Sequence, residues 1–120
     1  MVRVENMAEG GYPDVEGMLD GTWFGLELKA VARPALSGPM HLKVRDSQVR
    51  FAGKRLRARG LYWFFIQIGS GHRRKLYLVP GGYAQELQEG LTEREIADLS
   101  RLPTTKPTQS QVVRRAVQLP

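Results

Sequence analysis

The chain has 120 residues, 42% of them apolar and 25% charged, which allows one domain around one core and excludes both a disordered composition and a pair of ordinary domains. It has no cysteine and two scattered histidines, His41 and His72, so disulfides and thiolate zinc sites are excluded and any metal would be held by oxygen. Eighteen Lys and Arg against twelve Asp and Glu leave a formal charge of +6, a balance that favours a polyanionic partner, with nucleic acid the first candidate.

The first structural signal is Leu19-Asp20-Gly21-Thr22, since Asp-Gly between strand-like runs is the preferred two-residue hairpin turn. With Asp20 and Gly21 as the loop, each earlier residue pairs with the one whose number completes a sum of 41, and Asp14 lies opposite Glu27. Alternation then places Val15, Leu19, Phe24, Leu26 and Leu28 on a core-facing side. The other side gathers Asp14, Glu16, Met18, Trp23, Gly25, Glu27 and Lys29.

Residues 31–40 contain two prolines, a glycine and a serine and read as a loop. A helix is expected over about residues 46–59, capped by Asp46 or Ser47, with Val49, Ala52, Gly53 and Leu56 at helical spacing and Gly60 after its end. Residues 61–68, Leu-Tyr-Trp-Phe-Phe-Ile-Gln-Ile, read as a strand buried on both faces. A strand at 75–79 follows Gly69-Ser70-Gly71, forming a second hairpin with a basic turn. Thr92 and Glu95 make a capping box for a helix at about 93–102. Residues 1–102 are thus expected to form the single domain, and 103–120, linker-like and then basic around Arg114 and Arg115, a flexible tail. The order of elements indicates an α/β or α+β fold, one mixed sheet with helices packed on it.

Two carboxylates facing across an antiparallel pair repel unless a cation sits between them. A hard divalent cation such as Mg²⁺ resolves this, needing only one or two carboxylates and leaving positions for water and a phosphate oxygen. Asp14 and Glu27 would be its ligands, with the Leu28 carbonyl between Glu27 and Lys29 available as a third. Lys29, on the same side as Glu27, would hold the attacking water and offset charge developing on a phosphate. Such a site hydrolyses phosphodiesters with metal-activated water and no covalent enzyme intermediate.

Pro13-Asp14 followed by Glu27-Leu28-Lys29 resembles the PD-(D/E)XK nuclease superfamily, and Gln48 resembles that superfamily's frequent extra polar residue. From Val4 to about Gly82 the chain is similar to the small phage-type branch, which includes archaeal-type Holliday junction resolvases and virus-type replication-repair nucleases. The resemblance implies a restriction-endonuclease-like sheet flanked by helices and dependence on Mg²⁺ or Mn²⁺. It also implies a metal site of Asp14, Glu27 and Leu28, Lys29 as the catalytic lysine, and often a homodimer. Family members usually carry a further acidic residue before the Pro-Asp pair; Glu5 and Glu9 are the candidates, and Glu5 is preferred because Glu9 abuts Gly10-Gly11.

Lys43, Arg45, Arg50, Lys54, Arg55, Arg57 and Arg59 form a basic segment around the first helix, and Arg73, Arg74 and Lys75 a basic turn. Both are expected to contact DNA phosphates, positioning the duplex without reading its sequence; a solvated surface is the alternative. Trp23 fits either a base-stacking surface or the edge of a core or dimer contact. The expected activity is cleavage of branched DNA in recombination or repair, as a Holliday junction resolvase whose two-fold dimer matches the junction. Flap or nicking activity, or an inactive DNA-binding module of the same fold, are the alternatives. No apolar run approaches the roughly 20 residues of a membrane span, and the N-terminus lacks a secretory apolar stretch. No membrane partner is therefore expected, and the location is cytoplasmic, in the host if the source is a phage.

Overall fold

The computed structural model describes residues 2–4, 14–57 and 61–118. Asp20 and Gly21 both adopt left-handed backbone, at φ 51° and 80°, as a two-residue turn joining right-twisted strands requires. This turn joins β2 (Val15–Leu19) to β3 (Thr22–Val31) in the expected register, from Leu19 opposite Thr22 to Val15 opposite Leu26. A short strand that the sequence pattern does not announce, β1 (Val2–Val4), pairs antiparallel with β2.

After β3 the chain crosses through α1 (Asp46–Arg57) to β4 (Leu61–Ile68), which pairs parallel with β3. β4 then turns back into β5 (Lys75–Pro80) through one turn of 3₁₀-helix at Gly71–Arg73. The result is one mixed five-stranded sheet in the order β1-β2-β3-β4-β5. Three further helices follow, α2 (Ala84–Glu89), α3 (Glu93–Leu99) and α4 (Gln109–Ala116). The mixed α+β class is as the pattern of elements indicated.

Both faces of β4 are covered, which explains its unbroken apolar sequence. On one face Tyr62, Phe64, Ile66 and Ile68 pack with Tyr77 and Val79 beneath Ala52 of α1, Leu87 of α2 and Ile96 of α3. Met40, Leu42 and Val44 join them from an extended segment before α1, alternating with the exposed His41, Lys43 and Arg45. On the other face Phe24, Leu26, Leu61, Trp63 and Leu78 pack beneath Val112 and Ala116 of α4.

Residues 103–120 were expected to be a tail, and the described part of that stretch is ordered structure. Arg101 N–H donates to Leu78 O and Leu76 N–H to Thr105 O, both at 2.9 Å, so this connection satisfies the outer edge of β5. α4 begins with a capping box between Thr108 and Gln111 and closes over Trp63, whose indole N–H donates to Ala116 O at 2.8 Å. Leu28 corrects another expectation. Its side chain lies on the Phe24 face as alternation required, but it is 44% exposed and stands outside the cluster beneath α4.

Because α4 seals half the core, Val112→Ala removes buried methyl groups and should lower the unfolding free energy by about 1–2 kcal/mol in a urea titration. A free tail would show no change, and an unchanged midpoint would contradict this packing.

Candidate active site

The site forms where β2, β3 and the first turn of α1 meet. Glu27 and Lys29 are two residues apart on β3 and share the face covered by α1. Asp14 immediately precedes β2 and, one step beyond the Val15–Leu26 pair, stands opposite Glu27. Its Oδ2 accepts the Leu28 N–H at 2.8 Å, which fixes the carboxyl against β3.

Glu27 is 2% exposed and Gln48 fully buried, so each polar atom there requires a partner. Gln48 Nε2 donates to Glu27 Oε1 at 2.6 Å, and Gln48 Oε1 accepts from Lys29 Nζ and from the Arg45 N–H, both at 3.0 Å. The amide orientation follows from these charges, its NH₂ meeting a carboxylate and its carbonyl an ammonium. Lys29 Nζ also donates to Lys43 O at 2.6 Å and stands 3.7 Å from Glu27 Oε1. Gln48 thereby links acid, lysine and helix start.

The expected cap of α1 by Asp46 or Ser47 is replaced by this arrangement. Gln48 reaches back to the Arg45 N–H, and Asp46 Oδ1 instead accepts from Gln88 Nε2 at 2.6 Å. Gln88, on α2, also donates to Val44 O at 3.0 Å, pinning the segment that leads into the site.

Burial and the neighbouring Asp14 carboxylate push the Glu27 pKa up to about 7, with Lys29 and Arg45 opposing the shift. Burial also holds the Lys29 ammonium below the usual lysine range, against the opposing pull of Glu27 and Asp14. Tyr62, absent from the sequence-based site, directs its hydroxyl toward Glu27 Oε2 at 3.5 Å, and burial followed by the Glu27 charge raises its pKa. Its register partner Gly25 carries no side chain. Close packing behind Tyr62 comes from Gly81, where a Cβ would fall 2.7 Å from Tyr62 O.

The donor set fits a hard divalent cation. Two carboxyls meet, the Asp14 charge adds to burial in raising the Glu27 pKa, and the groups placed to ligate a cation are oxygens. No group of three or more His, Cys, Asp or Glu side chains converges among the described residues, so a cation would rest on Asp14, Glu27, the Leu28 carbonyl and water. Glu5, Glu9, Pro13 and Arg59, and the side chains of Arg55 and Arg57, lie outside the described residues.

Of the remaining expected residues, Lys43, Arg45, Arg50 and Lys54 are exposed along and just before α1. Arg45 comes close enough for its charge to lower the Glu27 pKa. Arg73, Arg74 and Lys75 are exposed at the β4–β5 turn, beyond the end of β3. The Trp23 indole N–H donates to Glu16 Oε1 at 3.4 Å, giving both residues a structural partner. The described helices include none long and apolar enough to cross a membrane. Compared with models of known protein families the chain matches none, and no curated protein matches it.

Glu27 gives the site a pH signature. Its folded pKa of about 7 lies above its ordinary 4.5, so the native protein retains a proton that the unfolded chain releases. That stabilisation is complete below 4.5 and is lost as pH rises through about 7. Between about pH 5 and about pH 8 the melting temperature of the metal-free protein should therefore fall more steeply than that of Glu27→Gln. Parallel profiles would mean that Glu27 titrates normally.

Proposed function

We propose that the chain is a Mg²⁺- or Mn²⁺-dependent endonuclease that hydrolyses DNA phosphodiester bonds, with Asp14, Glu27 and Lys29 as its catalytic residues. The observation that carries this reading is the meeting of the Asp14 carboxyl with the buried Glu27 carboxyl, with an ammonium 3.7 Å from Glu27 and one amide, that of Gln48, holding Glu27 and Lys29 together. A structural ion pair alone does not call for the second acid, whose charge works against the first. The resemblance to PD-(D/E)XK nucleases rests on the same residues and agrees in the role of each.

When bound there, the cation would lower the pKa of a water and offset charge on the phosphate. Asp14 and Glu27 hold it, and Glu27 must lose its proton to do so, which ties activity to the ionisation near pH 7. Lys29, oriented by Gln48 Oε1 and Lys43 O, presents its charge where negative charge grows on the phosphoryl oxygens. Gln48 positions Glu27 and Lys29 relative to one another and has no reacting atom of its own. The exposed Lys43, Arg50 and Lys54 carry the DNA backbone across the mouth of the site.

On the resemblance alone the reading extends to branched DNA as substrate, to Holliday junction resolution in recombination or repair, and to a homodimer. The test is cleavage of labelled four-way, flap, duplex and single-stranded DNA with Mg²⁺, run beside a sizing measurement. Asp14→Asn and Glu27→Gln should abolish cleavage while the protein stays folded. Lys29→Arg should lose most of the single-turnover rate and keep DNA affinity, since a guanidinium is larger and projects differently. DNA binding without cleavage in the unaltered protein would leave only a binding module.

Binding itself should be steeply salt-dependent. Changing Lys43, Arg50 and Lys54 together to Ala should reduce the slope of log K against log salt by about 0.9 for each phosphate that is no longer neutralised. An unaltered slope would make α1 a bystander.

A further inference from the structure

From Ser47 to Gln85, and again from Leu99 onward, the sequence contains no Asp or Glu. The fold brings these two acid-free stretches together at one end of the sheet. Leu76 N–H donates to Thr105 O at 2.9 Å and Lys106 Nζ to His72 O at 3.2 Å, which seats the connection to α4 against the 3₁₀ turn. Between them is a cleft of about 290 Å³ into which His72, Arg74 and Lys106 converge over Leu76 and Pro107, with no acidic side chain in its lining. All three basic residues are exposed.

The same turn faces a second cleft, of about 780 Å³, lined by Arg73, Arg33, Gln67 and Ser70. Its wall includes Ala30 and Val31, the residues that follow Lys29 on β3. Arg33 donates to Arg73 O at 3.1 Å and is itself paired with Glu93 at 2.8 Å, so Arg33 is structural and Arg73 carries the surface charge on that side. Exposed positive charge therefore runs across the turn, from Arg73 at the end of β3 to the Lys106 cleft. Leu76 pairs with Gln67, and Gln67 with Ala30, which places that cleft on the side of the sheet away from Glu27.

We propose that the His72, Arg74 and Lys106 cleft is a phosphodiester-binding site for nucleic acid, separate from the cleaved bond and reached by the same DNA after it passes the end of β3. Arg74 and Lys106, cations that converge with no acid between them, repel one another, and a polyanion removes that cost while releasing its own counterions. The concave shape and the further exposed charges on the same turn, Arg73 and Lys75, favour a polymer that extends across the turn over a compact anion. Contacts of this kind hold register without reading bases. The identity of the polymer rests on the nuclease reading; the presence of the site does not.

The test is a binding titration of labelled duplex DNA with Ca²⁺ in place of Mg²⁺, across a range of salt, on the full chain. Arg74→Ala combined with Lys106→Ala should weaken binding at low salt at least about tenfold and reduce the log–log slope by about 1.8, two phosphate contacts. Lys106→Arg should restore its share, because the role needs only charge at that position. Unchanged affinity and slope in a double variant that melts normally would overturn the proposal, as would a lowered cleavage rate with full affinity. Displacement of the DNA by inorganic phosphate beyond the effect of equal ionic strength of chloride would also overturn it, reassigning the cleft to a free anion. Absence of cleavage by the unaltered protein counts against the nuclease reading, while the slope comparison, which needs no cleavage, still decides the cleft.

Discussion

The structure depends on one costly placement, a glutamate carboxyl brought to 2% exposure between the sheet and a helix. An acid taken out of water requires hydrogen bonds, a countercharge or a proton. Glu27 draws on all three: the Gln48 amide, the Lys29 ammonium and a pKa near 7. Each of these fixes something else. Gln48 must be an amide, because its two ends meet opposite charges; α1 must begin at Asp46, because Gln48 also binds the Arg45 N–H. Asp14 then adds a second negative charge where the first was already hard to keep, a cost that coordination of a cation would relieve.

The topology supplies what this cluster requires. Parallel pairing of β3 with β4 needs a crossover, and that crossover is the extended segment 40–44 followed by α1. The first turn of α1 consequently lands beside Lys29. The tight Asp20-Gly21 turn holds Asp14 in register opposite Glu27 from the other side. β4 lies beside β3 in the sheet, its Tyr62 hydroxyl directed toward the Glu27 carboxyl, and α4 closes the far face. The site is thus built on strands and one helix start, elements stiff enough to hold charged groups in fixed geometry.

Much of the site was legible because a two-residue turn converts residue numbers into contacts: once Asp-Gly sets the sum at 41, the facing of Asp14 and Glu27 and the shared side of Lys29 follow. Gln48 could be placed on the helix but not oriented, since helical spacing alone does not say which residues across the sheet it meets. Tyr62 stayed hidden for a related reason. A strand apolar on both faces gives no alternation from which to choose a face, and the parallel register that puts Tyr62 beside Gly25 is set by the crossover. The α4 region carried readable signals, the Thr108–Gln111 capping box and Val112 four residues before Ala116, but Pro103 and Pro107 gave it the look of a linker. Its helix, shorter than an isolated helix can sustain, forms because Trp63 and Leu26 need a cover.

The central claim, that Asp14 and Glu27 together hold a divalent cation, is tested most directly by titrating the protein with Mn²⁺ and following the free ion by electron paramagnetic resonance. Saturable binding is expected in the unaltered protein, strengthening as pH rises through about 7, where Glu27 gives up its proton. Glu27→Gln and Asp14→Asn should each weaken that binding severely and flatten its pH dependence. Undiminished Mn²⁺ binding in either variant would contradict the account.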